Sequence, residues 1–395
     1  MVEPYCYACG APNPRAFYTV DAVPVHSVLL MPSRDEALRY PRGRLELGFC
    51  SNCGFIQNNA FDPSLHEYST RYEETQGFSP TFTRFAEELA RGLVERYGIR
   101  GKTVLEIGCG KGEFLSLLVE LGDNRGIGID PSLIPERLPA SARERILSVQ
   151  DFYENHVDLT READAVICRH TLEHIQPVQD FIQLVREGIG NRRDVLVCFE
   201  VPDVARVLEE NAFWDVYYEH CSYFSLGSLG RLFREAGFEL LELYRDYGDQ
   251  YLILVGRVGT NGERFSGEES PKRLERMVAV FETRVQEAMD VWRERFAAWR
   301  AAGKRVVLWG GGSKGVAFLT TLGLGEEVGY VVDINPYKQG MYMPGSGHEV
   351  VSPAFLEAYR PDVVIVMNPI YTEEIQAELA RLGLEPELVR VGVPA

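Results

Sequence analysis

The chain has 395 residues, with 41 basic and 58 acidic side chains and a formal charge of −17. A surface this acidic repels phosphate backbones, which argues against nucleic acid and anionic membranes as partners. No basic-then-apolar start and no apolar run of about 18 residues or more occurs, so neither a signal peptide nor a membrane span is expected and the expected compartment is the cytoplasm.

The length predicts two or three domains. Residues 1–65 are turn-rich and hold CYACG and CSNCG, two Cys-x-x-Cys pairs each followed by glycine. The thiolates of Cys6, Cys9, Cys50 and Cys53 suit a tetrahedral zinc ion with no open position, hence a structural staple for a small segment. The bland alternative is four unrelated buried cysteines. Cys109, Cys168, Cys198 and Cys221 stand singly, so the cysteine usage reads as metal binding in a reducing compartment rather than a disulfide framework.

From residue 66 to about 270 apolar strands alternate with helical patterns: FTRFAEELARGLVERYGI, TVLEIGCGKGEFLSLLVELG, RGIGID, ADAVICRH, DVLVCFEV and YLILVGRV. That alternation predicts a parallel α/β sheet. Residues 271–302 repeat Leu274, Met277, Phe281, Val285, Met289, Trp292, Phe296 and Trp299 at three- and four-residue steps, the pattern of one amphipathic helix. Residues 303–395 open with RVVLWGGGSKGVAFLTTL and continue through VGYVVDI and DVVIVMN, a second α/β unit.

VLEIGCGKGEF sets a glycine turn between a strand carrying Glu106 and a helix, with Gly108, Gly110 and Gly112 alternating through it. Such a turn admits a ligand close to the backbone at the carboxyl end of a strand. The next strand ends in Asp130 and Pro131, placing a carboxylate for a ribose diol. SVQDF then brings Asp151 and the aromatic face of Phe152 for an adenine. This series resembles the class I S-adenosylmethionine methyltransferases, and RHTLEHI, residues 169–175, resembles that family's fourth-strand motif. His170, at the strand end, is expected to line the cofactor site. A nucleotide fold without its ligand is the alternative.

The whole chain resembles the sugar C-methyltransferases that act on nucleotide-linked keto-deoxysugars, in the zinc pairs, EIGCGKG, YYEHCSYFS, and WGGGSKG followed by VVDINPYKQGMYMPGS. The resemblance implies an N-terminal zinc-binding domain, a central class I methyltransferase domain and a C-terminal Rossmann-like domain. It also implies a helical lid at 66–100, placing Tyr72, Gln76 and Ser79 over the cofactor. At the reacting carbon it implies Tyr218, Glu219 and His220, with Tyr217 as the other candidate tyrosine, and a second histidine at His174. In chemical terms His220 would remove a proton beside a ketone and Glu219 would orient it. Tyr218 and His174 would hold the oxyanion.

One departure bears on the acceptor. The family often carries a Gly-Gly-Glu stretch at the substrate, whereas this chain has Gly248, Asp249 and Gln250, an amide in place of the acid. Methylation at oxygen or nitrogen of another polar metabolite therefore stays open, as does a cofactor-binding scaffold. WGGGSKG with Asp333 fits NAD on pattern alone, but not as a clean G-x-G-x-x-G. Lys314 at a helix start is expected to meet a substrate phosphate unless the loop is structural, and Lys338 and Gln339 are read in the same way. The expected partner is a small molecule, and the expected state a monomer or small homo-oligomer.

Overall fold

The computed structural model describes residues 5–66, 68–260 and 262–392. Three sheets carry the fold. The first is antiparallel, in the order Arg15–Pro24, Arg42–Phe49, Ile56–Asn58 and Ser222–Tyr223. Its last strand comes from far along the chain, so the N-terminal segment is completed by the stretch that holds Tyr217 to His220.

The central sheet has seven strands. Their order is Phe238–Asp246, Tyr251–Val258, Leu196–Pro202, Ala165–Arg169, Thr103–Ile107, Arg125–Ile129 and Ile146–Val149. Tyr251–Val258 runs antiparallel to both neighbours, and the other pairings are parallel. Ala165–Arg169 is buried along its whole length, as expected for a parallel strand covered on both faces. Strand order reverses beside Thr103–Ile107, whose successors lie on opposite sides of it. That reversal opens a crevice at the carboxyl ends of the strands. The half-exposed strand Phe238–Asp246 alternates too weakly to announce itself in the sequence.

The expected helical lid begins later than its predicted start. Helix Pro80–Tyr97 is capped by Ser79, whose hydroxyl accepts the Phe82 N–H at 3.2 Å, and it ends at Gly98 in the left-handed region. Proline at the first helical position needs no donor, so the helix starts there. Residues 68–79 are extended and turned instead. Part of their backbone bonds outside the segment, with Glu73 donating to the Val28 carbonyl and Arg71 accepting from Leu30 N–H, both at 3.0 Å.

The C-terminal sheet is parallel, in the order Val350–Val351, Tyr330–Val332, Val306–Trp309, Val363–Val366 and Glu387–Arg390. Helix Pro271–Ala301 joins the outer units as its periodicity predicts, with Val278 rather than Met277 in the buried stripe. Phe281 meets Tyr18 edge-on at 5.3 Å, and Trp292 meets Phe318 at 4.9 Å. No helix among the described residues is long and apolar enough to cross a membrane.

Candidate active site

One cavity of about 700 Å³ lies where the central crevice faces the C-terminal glycine loop. Tyr72, Gln76, Ser79, Glu106, Gly108, Gly110, Asp130, Pro131, Asp151, Phe152 and His170 all line it, with His174, Tyr217, His220, Gln250, Lys314 and Lys338. The sequence reading is thus brought together in space, with three exceptions taken below.

At the floor, Asp130 accepts the Gly110 N–H at 2.8 Å and the Ser132 N–H at 2.6 Å, fixing the glycine turn. A methyl group on Gly108 would meet the Thr171 hydroxyl at 2.0 Å, and one on Gly110 would meet Glu74 at 2.4 Å. Gly112 is the first exception. It faces Leu138 rather than the cavity and serves the helix start with φ of +78°. Glu106 is buried, and its Oε2 has no partner among the described residues. Burial pushes its carboxyl up to about 8. An orphaned buried acid beside a glycine turn fits a ligand that brings a cationic group. Phe152 is 50% exposed, and its open face stands beside Asp151, which accepts from Phe152 N–H at 2.7 Å and Asn155 at 3.0 Å.

The other wall holds the titratable groups. Segment 216–221 is irregular, with a turn at Tyr218–Glu219, so Tyr217 and His220 come to one side and the two residues between them to the other. Tyr217 and His220 have ring centroids 4.3 Å apart, and His174 stands perpendicular to His220 at 4.8 Å. Burial pushes the His220 imidazole down to about 3, aided by the charges of His170 and Lys314, and it pushes His174 well down. Both rings are therefore neutral, with lone pairs available.

Tyr218 and Glu219 are the other two exceptions. The Tyr218 hydroxyl accepts the Asp62 N–H at 2.8 Å, and the ring packs on Phe61 at 5.4 Å. It therefore braces the N-terminal unit, and the cavity-facing tyrosine is Tyr217. Glu219 directs its carboxylate to that same unit, accepting from Ser27 N–H at 3.1 Å and lying 3.3 Å from His26 Nδ1. It also accepts the Tyr72 hydroxyl at 3.2 Å. An orienting bond from Glu219 to His220 is not among these contacts.

Lys314 lies 2.5 Å from Asp215, which is also paired with Arg206. Burial opposes charge on Asp215, but the two cations hold its carboxyl far below the usual range. Asp215→Ala would leave Lys314 without a carboxylate partner and Arg206 with Glu210 alone. The expected cost is about 3–5 kcal/mol, read as a lower denaturant midpoint, with partial recovery in Asp215→Ala/Lys314→Met. Gln250 and Asn368 exchange paired hydrogen bonds at 3.0 and 3.1 Å, joining the central and C-terminal units. Asp333 accepts Gly311 and Asn335 N–H groups, both at 2.8 Å, repeating the Asp130 lock in the second glycine loop.

His26, His66, Asp215 and Asn368 escaped the sequence reading. Only His66, just ahead of the lid in SLHEYSTRY, carried a positional signal. The others are single polar residues in unremarkable loops.

In the N-terminal unit, the Cys6, Cys9, Cys50 and Cys53 sulfurs all lie within 4.8 Å of one another. Cys6 to Cys53 is 3.6 Å and Cys9 to Cys50 is 3.7 Å. A tetrahedral zinc site with Zn–S of about 2.3 Å has an edge of about 3.8 Å, so the set fits the ion. Gly10 and Gly54 make matching turns, each N–H bonding the first cysteine carbonyl of its pair at 2.8 Å.

Residues 82–243 match a methyltransferase-domain family, and residues 262–385 match the C-methyltransferase C-terminal domain family. The chain is 26% identical over 392 residues to the C-methyltransferase NovU of Streptomyces niveus, covering 94% of this chain and 90% of that one. An O-methyltransferase family protein from Burkholderia thailandensis aligns with 46% of this chain and 57% of its own, at 16% identity and a TM-score of 0.38. The 1,6-didemethyltoxoflavin-N1-methyltransferase of the same organism aligns with 44% of this chain and 78% of its own, at 21% identity and a TM-score of 0.35.

Proposed function

We propose that this chain, an S-adenosylmethionine-dependent C-methyltransferase with a methyltransferase-domain match followed by a C-methyltransferase C-terminal-domain match, methylates a carbon beside the ketone of a nucleotide-linked deoxysugar. The observation that carries this reading is the neutral pair His174 and His220 with Tyr217, set in the same cavity as the glycine turn.

Glu106, Asp130, Asp151 and Phe152 would hold the cofactor's amino-acid end, ribose and adenine. Bound there, S-adenosylmethionine supplies an electrophilic methyl group. His220 takes the proton from the substrate carbon next to the carbonyl, leaving an enolate. The negative charge that develops favours imidazolium, so a ring held neutral by burial gains proton affinity as the reaction proceeds. Tyr217 and His174 donate hydrogen bonds to the enolate oxygen. Burial keeps the Tyr217 phenol protonated, which suits a donor. Holding the nucleophilic carbon in line within a closed cavity supplies much of the remaining acceleration. Lys314 is paired with Asp215, so a phosphate contact from it requires exchange of partners. In the N-terminal unit Cys6, Cys9, Cys50 and Cys53 would hold a structural zinc ion.

The test is solvent exchange. Incubated in deuterium oxide with a keto-sugar nucleotide and no methyl donor, the enzyme is expected to label the α-carbon, as seen by proton NMR. A substrate that is methylated with no such exchange would instead support transfer to oxygen or nitrogen.

A further inference from the structure

Glu219 is the most heavily engaged acid near the reaction cavity, yet it does not line it. Its carboxylate and the ring of His26 are buried to within 1%. His26 and Ser27 lie on the loop after strand Arg15–Pro24, so the cysteine-bearing unit supplies three contacts to this one carboxylate: His26 Nδ1, Ser27 N–H and the Ser27 hydroxyl. The fourth comes from Tyr72, at the base of the lid. The same loop then pairs with the lid through Leu29 and Tyr72.

We propose that His26 and Ser27 are positioning residues: they hold Glu219 as an anion, and the anion fixes the Tyr72 hydroxyl and thereby the closed lid, residues 71–79, over the cavity. This rests on the reading of the cavity as the methyl-transfer site, and it adds the cysteine unit as a contributor to that site's closure.

The charge balance supports the assignment. Burial would raise the Glu219 carboxyl above its ordinary value of 4.5, but the His26 bond brings it lower. Bonded by one amide, one hydroxyl and one ring nitrogen, the anion is also a strong acceptor for Tyr72. The groups facing Glu219 are His26, His66, His174, Tyr68, Tyr72 and Tyr217. Burial pushes His66 down to about 4 and His174 well down, and it keeps the three tyrosines protonated. A carboxylate with a depressed pKa gives its stabilisation above its unfolded pKa and loses it as pH falls through the folded one. Removing His26 takes away the largest of the contributions that lower the Glu219 carboxyl, so that loss moves to higher pH.

The experiment is hydrogen–deuterium exchange of the lid peptide, 68–79, in the full-length zinc-loaded protein across pH, without acceptor and with S-adenosylhomocysteine as the probe ligand. His26→Phe is expected to raise lid exchange about tenfold at neutral pH, as for loss of one charge-assisted bond in a local opening. It should also move the onset of lid opening to higher pH. His26→Asn, which returns a donor near the Nδ1 position, should restore both. Wild-type lid exchange and pH onset in His26→Phe would overturn the proposal, as would equal losses in the two variants together with loss of zinc. His220→Asn separates this from the reaction proposal, because it should abolish α-proton exchange and leave the lid closed. If His220→Asn retains α-proton exchange while His26→Phe still opens the lid, the base assignment fails and the positioning role stands.

Discussion

His220→Asn is expected to lower carbon methylation by about 10²–10⁴-fold, the usual contribution of a placed general base. Binding of S-adenosylhomocysteine should be unchanged, because the glycine turn, Asp130 and Phe152 are built by other segments. Asparagine keeps a polar, uncharged side chain in the buried place of a ring that is itself neutral, so folding should be little affected. α-Proton exchange in deuterium oxide should fall in parallel with turnover, because both need the same proton removal. If turnover fell while exchange persisted, His220 would act after enolate formation, and His174 would be the group to test next. Because burial holds the His220 pKa far below neutrality, its imidazole resonances in the empty enzyme should not shift between neutral pH and pH about 5.

The second large effect is expected from the metal knot. Cys53→Ser should reduce bound zinc from one equivalent to none, measured by elemental analysis. Structural zinc contributes an apparent binding free energy of about 10–16 kcal/mol in zinc-finger peptides, so the small N-terminal sheet should lose its fixed form. The loss should reach the reaction centre through a short path. Tyr7, inside the first cysteine pair, donates its N–H to the Gln57 side chain at 3.0 Å. Gln57 pairs with Ser222, and Asn58 N–H bonds the Cys221 carbonyl at 2.9 Å, next to His220. Cys53→Ser should therefore abolish methylation although no cavity residue changes. Full activity in a zinc-free variant would show the knot to be dispensable for the site.

The cofactor half of the cavity was legible in the sequence because each of its parts is local. A glycine turn follows a strand, and an acid ends the next strand, so the spacing along the chain fixes the spacing in space. The reaction half was legible in composition but not in direction. Tyr217, Tyr218, Glu219 and His220 stand in an irregular segment, where neither a two-residue nor a 3.6-residue period assigns faces. The turn at 218–219 sends Tyr217 and His220 inward and their neighbours outward. The roles of His26 and Asp215 were invisible because each depends on one contact across a great sequence separation: Glu219 for the first, Lys314 for the second. The lid was expected as helix because the resemblance implied a helical lid at 66–100, but Pro80 starts the helical pattern afresh.

The strand Ser222–Tyr223, which closes the N-terminal sheet, has a consequence for biosynthesis. While the chain is being made, Ile56–Asn58 is an open sheet edge until residue 223 has left the ribosome, even if zinc is already bound. An unpaired edge invites pairing with other chains. Expression of the cysteine unit alone would leave that edge bare, so this segment is not a portable module, and grafting it onto another methyltransferase would require the returning strand as well.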